Sequence, residues 1–225
     1  MALKYSPTVI EHFTKPQNVG DICDADAVAT EGSPACGDMI TYSMKINPQT
    51  RIIEDVRFRS FGCASNIATA SMATLMAKGK SIDDIKKMSH RDITVALGGL
   101  PAVKMHCSVL AVDGLKSAVK QWELEHGLVS DDNHILDRTA VTEALKGVLN
   151  PRTGCSLIDA KLINRMEIDN DEGRVFIEVM LCELDERFAE NIEEEIREKI
   201  GALEGAQKVL VQFKPCEHIG KHLYF

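Results

Sequence analysis

Five side chains stand out for the chemistry their types allow: Cys36, Asp38, Cys63, His106 and Cys107. Cys36-Gly37-Asp38 falls in a turn ahead of an alternating apolar run, and Gly37 lets the chain turn there so that its neighbours need not diverge. Cys63 falls where a second run gives way to helical spacing. His106 and Cys107 open a later helical stretch. All five therefore sit at element ends, where side chains from distant parts of a chain can meet. Helix N-termini favour a thiolate through their exposed N–H groups and dipole. Three thiolates with an imidazole or a carboxylate make a soft tetrahedral donor set, suited to Zn²⁺ or an iron–sulfur cluster. Lys104 is near enough in sequence to offer a cation to a thiolate or to Asp38. Any one of these cysteines alone reads as a small buried apolar residue; the grouping carries the metal reading.

The elements that must position them are visible in the apolar periodicity. Ser6-Pro7 followed by TVIEHF reads as a capped helix start with Val9, Ile10 and Phe13 on its apolar side, and Pro16 limits its length. MITYSMKI (39–46) alternates as a strand. NPQT (47–50) is a turn, and 52–61 returns as a second strand, giving an antiparallel hairpin. Ala64, Ile67, Ser71, Leu75 and Lys78 follow helical spacing up to Gly79. Ser81 and Asp84 offer a capping box. From His106 a longer helix runs to about Glu125, with Leu110, Leu115, Ala118 and Trp122 on one face, and ends at Gly127.

Charge divides the chain. Residues 1–127 hold 14 acidic and 14 basic side chains, whereas 128–225 hold 20 and 12 and so carry the whole net charge of −8. This acidity argues against nucleic-acid binding, which needs clustered Lys and Arg. No apolar run approaches the roughly 20 residues of a membrane helix. The start MALKYSPTVIEHF lacks the pattern of a secretory signal, so a cytoplasmic location is expected. Seven cysteines, an odd number, do not suit a disulfide scaffold. The polar, aperiodic stretch LVSDDNHILD opens a linker taken as 128–143, between a first domain (1–127) and a second (144–225). In the second, KLINRMEI (161–168), a DNDEG turn and RVFIEVML (174–181) predict a hairpin. Phe188, Ile192, Ile196 and Ile200 predict an amphipathic helix, and KVLVQF (208–213) a last strand.

The segments SPACGD (33–38), FGCASNIATAS (61–71) and LPAVKMHCS (100–108) resemble the three signatures of the IscU/NifU-type iron–sulfur cluster scaffolds. KYSPTVIEHFTKPQNVGD (4–21), including Tyr5, is similar to that family's N-terminal segment. The resemblance spans about 2–127. It implies an α+β fold, an antiparallel sheet with packed helices, and a ligand set of Cys36, Cys63 and Cys107 completed by Asp38 and His106. It implies a scaffold or carrier rather than a turnover enzyme. A cysteine desulfurase would deliver sulfur, most often to Cys107, with Lys104 assisting; a [2Fe-2S] cluster would be built and passed to apo iron–sulfur proteins. Zn²⁺ would be the occupant of the cluster-free form, and a homodimer sharing one cluster stays open. Leu100 to Lys104 resembles the family's recognition site for an Hsp70-type chaperone, with Ala102 where a second proline is usual. The competing resemblance is to the zinc-bound SufU sulfur acceptors. Those carry an insertion between the second and third cysteines and lack the histidine; here 43 residues separate Cys63 from Cys107, and His106 is present. A storage or regulatory protein sensing cluster supply is a third reading.

Residues from about 144 onward resemble the SufT/PaaD-type domain of iron–sulfur assembly factors, a second small α+β unit. Asn150-Pro151 stands where that family has Asp-Pro, and CELDERF, with Cys182, replaces its Cys-Pro. Cys155 and Cys182 are expected to be buried or partly buried, and Cys23 to be structural. Cys216, His218 and His222 form a loose cluster near the C-terminus without a fourth ligand.

Overall fold

The computed structural model describes residues 4–33, 37–128 and 136–215. The chain divides into two compact units, Met1–Asp132 and Asn133–Phe225. Each is α+β with its own three-stranded sheet and its own apolar core.

In the first unit, α1 (Pro7–Thr14) leads to β1 (Ala27–Ser33), β2 (Asp38–Ile46) and β3 (Ile53–Phe61). These form an antiparallel sheet in the order β1-β2-β3. Four helices follow: α2 (Ala64–Ala77), α3 (Ile82–Lys87), α4 (His90–Ala96) and α5 (His106–Glu125). The register sets Met44 opposite both Ala27 and Val56. Ile40, Tyr42, Met44 and Val56 are closed from solvent beneath α2 and α5. Alpha-helix α5 can cross close to the sheet because Gly114 has no side chain: a Cβ there would lie 2.8 Å from the Tyr42 ring. The Gln121 side chain accepts the Val28 N–H at 3.0 Å, which ties α5 to the edge strand β1. The expected hairpin and the buried face of α5, Leu110, Leu115, Ala118 and Trp122, are present.

Three details depart from the periodicity. Ser6 caps α1 as expected, accepting from Val9 N at 3.1 Å. Yet Ile10 and Phe13 are exposed, and His12 takes the inward place beside Val9. His12 can do so because its Nδ1 meets Ser71 Oγ at 2.8 Å, so the buried ring is not left unsatisfied. On α2, Leu75 is exposed while Ser65, Asn66, Ala68, Thr69, Ala73 and Thr74 are buried. That helix is covered on more than one side, so small and hydroxyl side chains fit where a single apolar stripe would not.

In the second unit α6 (Arg138–Lys146) precedes β4 (Ile163–Asp169), β5 (Arg174–Leu181), α7 (Ala189–Gly201) and β6 (Lys208–Pro215). Helix α6 starts within the stretch read as linker. Asp137 caps it, accepting from Ala140 N at 2.7 Å, and Val141 and Leu145 are buried. Strands β4 and β5 form the expected hairpin, and β6 lies parallel to β5, returning by way of α7. Ile192, Ile196 and Ile200 are fully buried, each stabilising the unit by roughly 1.5–3 kcal/mol. Gly173 closes the β4–β5 turn at φ 59°, where a Cβ would lie 2.4 Å from the Gly205 carbonyl oxygen.

Candidate metal centre

Three element ends converge in the first unit. Asp38 is the first residue of β2, just after Gly37 at φ 69°, the left-handed turn expected there. Cys63 is the N-cap of α2, and His106 and Cys107 are the first residues of α5. One carboxylate oxygen of Asp38 accepts the Cys63 N–H at 3.1 Å. The other lies 3.4 Å from Cys63 Sγ and 3.7 Å from Cys107 Sγ. The two sulfurs are 3.7 Å apart, unbonded. Donor atoms of Asp38, His106 and Cys107 lie within 4.8 Å of one another. Cys36 falls outside the described residues, as do Cys216, His218 and His222.

The start of α5 is pinned from both sides. Thr69 on α2 donates to the Cys107 carbonyl at 3.1 Å, and Thr94 on α4 donates to Ser108 Oγ at 3.2 Å. Cys107 is closed from solvent, Cys63 partly open. The two thiols share a proton unequally. The S–H of Cys107 donates to Cys63, and against the cost of burial this contact, the Asn66 backbone N–H and the charge of Lys104 pull the Cys63 thiol down to about 6. The same contact, then burial and the charges of Cys63 and Asp38, push the Cys107 thiol up. Of the two, Cys63 is the readier to ionise and Cys107 the readier to keep its proton.

His106 is held neutral, first by burial and then by the Lys104 charge. Its Nε2 is buried without a partner, and the ring hydrogen-bonds the Val103 backbone. A metal-ligating histidine is commonly held in this way, one nitrogen oriented by a hydrogen bond and the other left for the metal. An imidazole, a thiol and a carboxylate within reach of one another, with the Cys63 sulfur beside the last two, fit a thiophilic metal or an iron–sulfur cluster. Lys104 ends a 3-10 turn, Ala102–Lys104. Burial works against its charge, but the Cys63 and Cys107 sulfurs, with Tyr5 and Asp38, raise its pKa.

Two neighbours were not picked out from sequence. A Cβ on Gly62 would lie 2.7 Å from an Asp38 carboxylate oxygen and 2.6 Å from the Asn66 amide nitrogen. Gly62 thus leaves the space Asp38 occupies; a glycine directly before a helix cap was the available signal. Asn66 is fully buried and donates to Ser60 Oγ at 3.0 Å, while its own oxygen has no partner. Tyr5, from the N-terminal segment, reaches the site's edge, accepting from Ser65 at 3.1 Å. Among the other cysteines, Cys23 and Cys155 are exposed and Cys182 is partly buried. The exposure of Cys155 corrects the expectation of burial: its loop turns outward after Asn150, whose carbonyl accepts the Gly154 N–H.

Residues 4–128 match the family described as NifU-like N terminal domain. The chain belongs to that family. Residues 138–213 match a second family, described as iron-sulfur cluster assembly protein. The iron-sulfur cluster assembly scaffold protein IscU of Aquifex aeolicus is 43% identical over 137 residues, 61% of this chain and 87% of that protein. IscU 1 of Archaeoglobus fulgidus is 49% identical over 125 residues, 56% of this chain and 80% of that protein. Among solved structures, a NifU-like protein (N-terminal) from Brucella abortus aligns with a TM-score of 0.45 and 19% identity, covering 52% of this chain and 93% of that one. No described helix is long and apolar enough to cross a membrane.

Proposed function

We propose that the first unit is a scaffold on which an iron–sulfur cluster is assembled and from which it is handed on. The observation that carries the reading is the facing set of Asp38, His106 and Cys107, with the Cys63 sulfur beside it. Cys36, Cys63 and Cys107 would supply the sulfur ligands, Asp38 and His106 the remainder. The cluster is cargo, and a [2Fe-2S] form suits a site of this size. Soft sulfur holds iron firmly, and the hard Asp38 oxygen holds it weakly. Asp38 has somewhere else to go, because it already accepts the Cys63 N–H.

Sulfur would arrive as a persulfide from a cysteine desulfurase. Cys107 is the acceptor the resemblance implies, and Lys104 would balance negative charge on either thiol. Met39 and Phe61 pair across β2 and β3 and stand exposed next to Asp38 and Gly62. Such an apolar rim is where a protein partner would seat. Apo iron–sulfur proteins are the recipients in this reading, an Hsp70-type chaperone would engage Leu100 to Lys104, and the setting is the cytoplasm. A zinc-bound sulfur acceptor is the second reading, supported by the same soft donor set.

Anaerobic reconstitution with iron, sulfide or cysteine, and a desulfurase tests the choice. The scaffold reading expects visible absorbance of a cluster and its transfer to an apo-ferredoxin. Tight zinc that persists with full sulfur transfer and no cluster would reject it. Asp38→Ala is expected to keep its cluster longer in a chelator challenge; faster loss would reject the weak-ligand role.

A further inference from the structure

Helix α2 begins with a capping pattern whose own acceptor is idle. Cys63 is its N-cap and Asn66 stands three residues on, the position from which a side chain reaches back to the N-cap N–H in a capping box. Helices α3 and α4 close that contact with an aspartate, equal in length to asparagine. Asp84 accepts the Ser81 N–H at 3.2 Å, and Asp92 the Ser89 N–H at 2.8 Å. The N-cap backbone is extended at all three helix starts. At α2 the Cys63 N–H goes instead to Asp38 Oδ1, at 3.1 Å. The Asn66 oxygen, on a fully buried side chain, is left without a partner. A buried acceptor without a donor costs about 1–3 kcal/mol, a cost that an apolar side chain in this place would avoid.

The surroundings of the amide suit a half-turn. Its nitrogen donates to Ser60 Oγ at 3.0 Å and to the Met39 carbonyl at 3.4 Å. That nitrogen and Asp38 Oδ1 both lie against the empty Cβ position of Gly62, at 2.6 and 2.7 Å. Turning the amide about its last torsion sets oxygen where nitrogen now lies. The Ser60 hydroxyl can donate to that oxygen as readily as it accepts from the nitrogen, and only the longer contact, to Met39, is given up. We propose that Asn66 is the alternate acceptor of the Cys63 N–H, taking it over when Asp38 turns from that N–H to a metal. This positioning role rests on the reading of Asp38 as a ligand. Without the takeover, each departure of Asp38 strands the Cys63 N–H, and ligation is weakened accordingly. With it, Asp38 binds and lets go while the cap of α2, and Cys63 on it, stays in place.

Amide hydrogen exchange at Cys63, read by NMR on the metal-free full-length chain, tests the redundancy. Either acceptor suffices, so the unaltered chain, Asn66→Ala and Asp38→Ala should protect that N–H alike. Only the double variant should lose about tenfold in protection. Asn66→Asp in the Asp38→Ala chain, which keeps an acceptor without setting two carboxylates together, should restore it. Loss of protection in Asp38→Ala alone overturns the proposal. So does loss in Asn66→Ala alone, the mark of a merely structural role. Asn66→Leu, nearer in volume, takes the place of Asn66→Ala if that chain does not fold. Zn²⁺ competition with a chelator then reads the effect on ligation. Asn66→Ala should bind about tenfold more weakly, with no such loss on the Asp38→Ala background; equal loss on both backgrounds overturns the proposal. Zn²⁺ affinity untouched by Asp38→Ala rejects Asp38 as a ligand, whereas the metal-free exchange decides on Asn66 by itself, so the two failures are distinguishable.

Discussion

Replacing Cys107 by alanine removes the S–H that Cys63 accepts, the largest influence lowering the Cys63 pKa. A hydrogen bond to a charged group is worth about 1.5–3 kcal/mol, or roughly 1–2 pKa units. In the metal-free protein Cys63 should therefore shift from about 6 to about 7.5. The rate of attack on a disulfide dye is set by two opposed factors. The thiolate fraction at pH 6 falls from about one half to about 3%, while intrinsic nucleophilicity rises about fivefold for a Brønsted slope near 0.45. The variant should thus react about threefold more slowly at pH 6 and about fivefold faster at pH 9. Stopped-flow rates from pH 5 to 9, with Cys63 identified by peptide mapping, read both limbs. The crossing of the two profiles is the diagnostic feature. A midpoint that stays near 6, or moves lower, would show that the Cys107 thiol is not what holds the Cys63 proton off.

Gly62→Ala should crowd the Asp38 carboxylate and the Asn66 amide, costing about 1–3 kcal/mol in a melt and about tenfold in Zn²⁺ affinity measured by chelator competition; unchanged affinity would remove Gly62 from the site's design. In the second unit, burial raises the Glu195 carboxyl from 4.5 to about 7, against the Lys199 charge and the Leu149 N–H. Its folded pKa exceeds its unfolded one, so its stabilisation is full below 4.5 and is lost as pH rises through about 7. Discounted for the partial exposure of the carboxyl, the change is about 1–2 kcal/mol. Denaturant titrations of Glu195→Gln should lack that decline.

What could be read from sequence was whatever depended on a strong one-sided pattern. Helix α7 and the β4–β5 hairpin have such patterns, and their expected inward residues are buried, except Phe188, which ends a 3-10 turn ahead of α7 and is only partly covered. Strand β1, AVATEGS, went unread because it is an edge strand defined by its pairing with β2 rather than by its own side chains. Helix α6 was missed for a similar reason: two buried residues in nine make a weak signal. Inward His12 and outward Ile10 were likewise unreadable, since Ser71, which satisfies the imidazole, lies 59 residues away. For the site, residue types and element ends pointed to Asp38, Cys63, His106 and Cys107. Their separations did not follow, because they depend on how α2 docks on α5 through Thr69 and the Cys107 carbonyl. Nor did the division of labour between the thiols, which arises from Cys107 being closed off while Cys63 caps a helix.

In the proposed scaffold the ligand residues come from separate stretches of chain: Cys63 follows Asp38 by 25 positions, and Cys107 follows Cys63 by 44. An unfolded or half-synthesised chain therefore presents metals with scattered pairs of donors at most. Cys107 emerges from the ribosome last, and its donors face the others only after α5 has docked. Metal bound by the native state alone adds its full mass-action stabilisation, with little lost to competing capture by the unfolded chain. On the proposed reading, loading would act as a checkpoint on completed folding, and a truncation ahead of α5 should leave a polypeptide that neither folds around iron nor depletes it.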